Sequence, residues 1–378
     1  MEIAEIGFVS YVASFLLLLT VLVFIHEWGH FSVARLLGVR VRTFSIGFGP
    51  EIFGWYDKKG TRWKISWIPL GGYVMFFGDA GVASNPDSAV QTMNAEDRAV
   101  SFHHQSLSTK AAIIAAGPLI NFAFAILVFA GLFMAYGQQY STPVISSVIE
   151  DSAAFEAGLE QDDLIIAIDE ETIDRFEQVS AAINMRPDQT LIFTVLRDQQ
   201  ELQLAVTPRK STEEDRFGNQ YVAWRVGITG KIEVAQRNNP FSALYYAALH
   251  TADMTQMMLS GIGQIILGIR SVDEMGGPLK IAQFSGQQAS MGVVSFIAFM
   301  ALISINLGLV NLFPIPMLDG GHLMFYGMEA IRGKPVSLRV QEFSMIVGMT
   351  LVIGLMVFLT WNDLNSFNVL ESINRLLS

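Results

Sequence analysis

The chain has 378 residues, 51% hydrophobic and only 16% charged, with a net charge of −11 and no cysteine. Soluble proteins carry about 25% charged residues, so this balance points to a membrane protein. The acidic balance argues against a nucleic-acid partner. The missing cysteines exclude disulfides and thiolate metal sites, leaving His, Asp and Glu as possible ligands.

The first apolar run, Ile6–Ile25, is long enough to cross about 30 Å of hydrocarbon, and its helix is predicted to continue to about Leu37. A cleaved signal peptide is not expected, because the leading MEIAE is acidic and no small-residue cleavage site follows. At the inner end of this span stands FIHEWGHF, Phe24–Phe31. On a helix, His26 and His30 lie four residues apart and face the same way. That is the spacing for two nitrogen ligands on one Zn²⁺, with Glu27 beside them able to take a proton from water. Ionisable groups inside an apolar segment are costly, which favours a functional reading over a pair of structural histidines.

Basic residues follow at once: Arg35, Arg40, Arg42, Lys58, Lys59, Arg62 and Lys64. This loop is predicted to be cytoplasmic. Within Thr61–Gly78, Trp63, Ile65 and Trp67 alternate with polar residues as in a strand, and Gly71-Gly72 permits a sharp bend. His103 and His104 read as solvated loop residues. The second span is Ala111–Gly137.

The next section is rich in Asp and Glu and is placed outside. Residues 142–232 read as a soluble α+β module: strands at Pro143–Ile149 and Leu164–Ile168, a hairpin from Thr190–Leu196 and Glu201–Val206, and a helix at Arg175–Asn184. Phe241–Ile269 carries His250, Asp253 and several Gln, and suits an interfacial amphipathic helix better than a span. The third span is Met291–Phe313, with Asn306 and Asn311 inside it, and the fourth is Phe343–Trp361. Arg332, Lys334 and Arg339 put the loop between them inside, so both termini lie outside.

A catalytic zinc needs a third protein ligand and an open position. Pro314 and Pro316 break the third helix, and Asp319 follows, then Gly320-Gly321, read as a flexible turn. Unwound backbone at membrane depth is tolerated where it is buried in protein or lines a wet cavity. Asp319 is the first candidate for the third ligand and His322 the second; the competing reading makes Asp319 a helix cap. Three spans bring Asp319 to the same side as His30, provided that Phe241–Ile269 does not span.

His26-Glu27-x-x-His30, Gly47-Phe48-Gly49-Pro50, Ile68-Pro69-Leu70-Gly71-Gly72-Tyr73, Gly117-Pro118-Leu119-Ile120-Asn121 and Leu318-Asp319-Gly320 occur in that order. With these motifs the chain resembles the site-2 protease family of intramembrane zinc metalloproteases, nearest to the bacterial regulator-of-sigma-E protease group in a single-PDZ form. The string Ala157–Ile183 resembles a PDZ domain, with Asp162 where a Gly is usual.

The resemblance implies a polytopic α-helical protein of the bacterial inner membrane, with four transmembrane helices, a membrane-associated β-hairpin and one inserted periplasmic PDZ domain. Its sections would be residues 1–137, 138–235 (the PDZ domain), 236–290 (interfacial) and 291–378. It implies one Zn²⁺ held by His26, His30 and Asp319, Glu27 as catalytic base, and an active site toward the cytoplasm. Substrates would be single-pass membrane proteins already trimmed by another protease, such as an anti-sigma factor, and remnant signal peptides. Asn306, Asn311 and the hairpin residues Ile65, Trp67, Gly71 and Gly72 would engage them. For the two asparagines, interhelical hydrogen bonding is the competing reading. Two rivals are a catalytically dead scaffold, which the intact Glu27 opposes, and a transporter, which the absence of a visible repeat opposes.

Overall fold

The computed structural model describes residues 8–81, 87, 90, 92–186, 188–214, 220–234, 238–268, 272 and 275–366. The start of the first predicted span, Ile6 and Gly7, lies outside these. Four helices among the described residues are long and apolar enough to cross a membrane: Val9–Leu36, Leu107–Tyr136, Val293–Asn311 and Arg339–Ser366. They match the four runs read from the sequence. The chain divides into two compact units, residues 1–132 with 240–378, and residues 133–239.

In the first unit, α1 (Phe8–Leu36) runs into β1 (Val41–Tyr56) and β2 (Arg62–Phe76), followed by α2 (Ala95–Val100) and α3 (Leu107–Tyr136). The β1–β2 pair is more than a simple hairpin. Ile46 pairs with both Gly72 and Ile65, and Ile65 pairs with both Ile46 and Phe53. The long strands therefore fold back, and the first half of β1 lies between two segments of β2. Phe44 is fully buried here, and its ring stacks on Trp63 at 4.4 Å, while Phe31 of α1 meets Phe44 edge-on at 5.4 Å. At the tip, Asp57 accepts from Arg35 Nη1 at 2.7 Å, Trp63 Nε1 at 3.1 Å, and the Thr61 and Lys59 N–H groups. The tip is thereby latched to the end of α1. By contrast Ile52, Phe53, Trp55, Tyr56, Ile65, Trp67 and Ile68 are exposed, an apolar surface suited to lipid.

His103 is not a solvated loop residue. Its Nε2 lies 2.9 Å from Oδ1 of the fully buried Asp79, which also accepts from the Phe76 N–H. A buried carboxylate needs such partners, and periodicity could not reveal a contact made 24 residues away.

The second unit holds a six-stranded antiparallel sheet. Its strands are β3 (Gln139–Val148), β4 (Leu164–Ile168), β5 (Glu171–Thr172), β6 (Leu191–Arg197), β7 (Gln200–Val206) and β10 (Ile228–Val234), in the order β10-β3-β4-β6-β7 with β5 on β4. Two helices, α4 (Ala153–Glu156) and α5 (Phe176–Met185), and a ribbon of β8 (Arg209–Glu214) and β9 (Gln220–Arg225) complete it. Ile145, Ile165, Ile168, Val179, Phe193 and Val206 form the core. Asp162 has φ 69, a left-handed conformation that Asp tolerates and Gly prefers. Its neighbour Asp163 is buried and bonded by Arg197 at 2.7 Å.

The chain returns to the first unit with α6 (Pro240–Ile266), α7 (Pro278–Ser290), α8 (Val293–Asn311), α9 (Asp319–Arg332) and α10 (Leu338–Ser366). α6 is 27 residues long but is not among the four candidate spans, in keeping with its polar content. α7 has no side-chain cap of its own. Instead Asp363 of α10, fully buried, accepts from the Gly277, Leu279 and Lys280 N–H groups at 2.9, 3.0 and 3.1 Å.

Candidate active site

The site is built from the end of α1, the start of α9 and one face of α3. His26 and His30 lie one turn apart, with ring centroids 4.8 Å apart and Nε2 atoms 3.2 Å apart. Asp319 Oδ2 lies 3.2 Å from His26 Nε2 and 3.5 Å from His30 Nε2. One ligand atom from each of the three residues falls within 4.8 Å of the others, and among the described residues this is the group that can hold a metal. His322, the second candidate, is not part of it. It sits one turn into α9, where burial pushes its imidazole below the ordinary value.

Asp319 is not a helix cap. The cap position of α9 falls on Leu318, and Asp319 is the first helical residue. Its Oδ2 is buried without a hydrogen-bond partner although both imidazoles stand beside it. Burial pushes the carboxyl up, but the adjacent His30 and His26 more than offset this and keep it well below the usual carboxylate range. Three lone-pair atoms converging with one of them unpartnered is the arrangement a divalent cation completes, and two nitrogens and a carboxylate oxygen suit zinc.

The loop before Asp319 explains how it gets there. Pro314 and Pro316 end α8, and Met317 takes φ 91, a strained value for a non-glycine residue. Gly320 and Gly321 are not a flexible turn but the first turn of α9. A side-chain carbon at Gly320 would fall 2.3 Å from the Leu312 and Phe313 carbonyls, and one at Gly321 2.4 Å from the Ile315 carbonyl. Only glycine lets α9 tuck under the proline loop, and that contact aims Asp319 back at α1.

Glu27 is half-buried beside β2, and a carbon at Gly72 would sit 3.5 Å from its Cγ. The Gly72–Phe76 segment pairs with β1 on one side. This is the strand edge nearest the site. Within Thr61–Gly78, Ile65 does not lie on a free edge, because its backbone is paired with Ile46 on one side and Phe53 on the other where β1 folds back over it. Ile65 and Trp67 contribute exposed side chains, and Gly71, at φ 108, makes the bend against the Phe48 ring. Asn306 is exposed on α8, and Asn311 is half-buried in its last turn.

Residues of α3 complete the site, and sequence reading assigned them no part in it. His30 Nδ1 lies 2.9 Å from the Ile113 carbonyl, and His26 Nδ1 lies 3.1 Å from the Asn121 side chain. Between them, a carbon at Gly117 would fall 2.2 Å from His30 Nε2. The available signal was a lone Asn and a Gly-Pro pair inside the apolar run Ala111–Gly137.

Such a triad on membrane-length helices, with a carboxylate beside it, is the arrangement of a membrane zinc metallopeptidase. Residues 14–355 match the profile described as Peptidase family M50. The chain is 43% identical over 372 residues to "Putative zinc metalloprotease Atu1380" of Agrobacterium fabrum, covering 96% of this chain and 98% of that protein. It is 33% identical over 400 residues to "Metalloprotease MmpA" of Caulobacter vibrioides, covering 99% of this chain and 100% of that protein. The chain belongs to peptidase family M50, the site-2 proteases.

Proposed function

We propose that this enzyme hydrolyses a peptide bond of single-pass membrane proteins within or near the bilayer, with His26, His30 and Asp319 holding one zinc and Glu27 as its base. The observation that carries this reading is the convergence of the three ligand atoms within 4.8 Å, with Glu27 between them and a strand edge. When bound, zinc supplies Lewis-acid chemistry, polarising the scissile carbonyl and making a water acidic near neutral pH. Glu27 takes that water's proton and later gives one to the departing amine. A helical substrate hides its peptide bonds and must unwind to be cut. The Gly72–Phe76 edge is the element to hold the unwound stretch, by adding it as a further strand. Asn306 and Asn311 offer amides to its freed backbone groups; exposure of Asn306 favours this role over an interhelical bond. Ile65 and Trp67 seat the folded hairpin in lipid, and Gly71 and Gly72 shape its bend.

The second unit is read as a PDZ domain. Its strand hairpin, helix α5 and the left-handed Asp162 support that reading. A groove of about 290 Å³ lined by Phe176, Val179, Ile183 and Ile228 lies beside α5. The loop charges orient both termini and this domain toward the periplasm of a bacterial inner membrane, with the active site toward the cytoplasm. The domain then serves to exclude substrates whose outer part is still bulky, so that proteins already trimmed by another protease, such as an anti-sigma factor, and remnant signal peptides are admitted.

The test compares membrane proteins cleaved in cells carrying the wild type with those carrying Glu27→Gln. Single-pass fragments that appear only with the wild type are the expected result. An unchanged fragment pattern, with zinc still bound to both proteins, would sink the reading.

A further inference from the structure

The two imidazoles differ in what holds their outer nitrogen. His30 Nδ1 donates to the Ile113 carbonyl at 2.9 Å. A carbonyl only accepts, so a hydrogen sits on Nδ1, and in the neutral ring Nε2 keeps the lone pair, 3.2 Å from His26 Nε2 and 3.5 Å from Asp319 Oδ2. At His26, among the described residues, a side-chain amide takes that place. His26 Nδ1 lies 3.1 Å from the side-chain nitrogen of Asn121. Ile113, Gly117 and Asn121 are spaced by four along α3, so one stripe of that helix lines both rings. The stripe offers a carbonyl, a missing side chain and an amide in turn.

Asn121 is fully buried, and its Oδ1 has no hydrogen-bond partner. Its own backbone carbonyl accepts from Ser304 Oγ of α8 at 3.0 Å, which fixes this turn of α3 in place. With the amide nitrogen toward Nδ1, His26 must accept there, and its one hydrogen then sits on Nε2. That is the nitrogen a metal needs as a lone pair. A half-turn of the amide exchanges Oδ1 and Nδ2 with almost no change in shape. It then sets an acceptor against His26 Nδ1–H, matching what Ile113 does for His30.

We propose that Asn121 is the positioning residue of His26: in the zinc-loaded enzyme its Oδ1 accepts from His26 Nδ1–H and leaves Nε2 free to bind the metal. Gly117 keeps the space between the rings open, since any side chain there would meet His30 Nε2. The proposal rests on the reading that His26, His30 and Asp319 hold the zinc. Partners of this kind orient a ligand and raise its basicity, and their loss weakens metal binding about 10–100-fold.

The test uses the full chain in detergent and measures zinc affinity by chelator competition for wild type, His26→Ala, Asn121→Leu and Asn121→Asp. Asn121→Leu is expected to bind zinc about 10–100-fold more weakly, while Asn121→Asp, which accepts as Oδ1 does, stays within about threefold of wild type or binds more tightly. A purely structural role would not separate these two variants in that order. Histidine ¹⁵N spectra of the zinc-loaded wild type supply a reading that needs no variant to fold, and the hydrogen of His26 is expected on Nδ1. Undiminished zinc binding by His26→Ala overturns the ligand reading itself. Loss of zinc in His26→Ala with wild-type affinity in Asn121→Leu overturns only the role of Asn121. So does equal weakening of both Asn121 variants, or a His26 hydrogen on Nε2.

Discussion

Each member of the site does a job that its neighbours cannot. Asp319 brings the third ligand atom to within 3.5 Å of both histidine Nε2 atoms, so Asp319→Ala is expected to abolish tight zinc binding, as read by metal content after dialysis. Glu27 is adjacent but is not one of the three grouped ligands. Glu27→Gln should therefore keep one zinc per chain yet lose cleavage by a factor of 100 or more, roughly the worth of a general base. Gly117 offers no ligand atom of its own, but Gly117→Ala would put a carbon 2.2 Å from His30 Nε2. Its expected outcome is lost zinc with the helices intact by circular dichroism; retained zinc would mean that α1 and α3 separate more easily than their packing implies. HExxH was legible because two of the three ligands and the base fall within one turn and a half of a single helix. Asn121 and the Ile113 carbonyl were not, because their meaning depends on a second helix 83 to 95 residues away.

At the scale of elements, two carboxylates tie parts of the chain that periodicity treats separately. Asp57 closes the folded hairpin. Burial pushes its carboxyl up, but bonds from Trp63, Thr61, Arg35 and Lys59 outweigh that and lower it from 3.8 to about 2. A folded-state value below the unfolded one stabilises fully above the unfolded value, and the benefit fades as pH falls through about 2. The hairpin is thus expected to resist proteolysis at pH 5 and to loosen between pH 4 and 2. Asp57→Asn should be looser already at pH 5 and show no such step. Asp363 plays the corresponding part for α7, whose first N–H groups it accepts from across the sequence. Asp363→Ala is expected to destabilise the protein by about 1–3 kcal/mol, seen as a lower Tm, because one buried and two partly buried N–H groups lose their acceptor. Strands and spans were readable from alternation and hydropathy. The folding back of β1 and β2 was not, since a strand's period says which face is apolar and not which strands lie on either side.

For the molecule as a whole, the site draws every grouped ligand from the first unit. The ends of the inserted unit meet: the Asn238 N–H donates to the Phe133 carbonyl at 3.4 Å. Replacing residues 139–234 by a short Gly-Ser linker is therefore expected to leave zinc affinity within about threefold of wild type, as chelator competition would measure. If the inserted unit excludes bulky substrates, the same variant should cleave untrimmed membrane proteins that the full chain spares. Zinc loss on excision would show that the inserted unit supports the site.

The sequence by itself determined which segments are apolar enough to span, that two histidines face the same way on one helix with a glutamate beside them, and that an α+β module stands between the second and third apolar runs. These follow from local spacing and composition, which act over one turn, one strand or one bilayer thickness. Only the tertiary structure decided which carboxylate stands beside the two histidines, because by local pattern alone Asp319 reads equally as a cap until α9 is seen packed under the proline loop. It also decided that Gly71-Gly72 bends a sheet folded on itself, and that α3 furnishes the outer partners of both imidazoles. Those are contacts between elements far apart in the chain, set by where glycines let two backbones approach, and no local pattern encodes that distance.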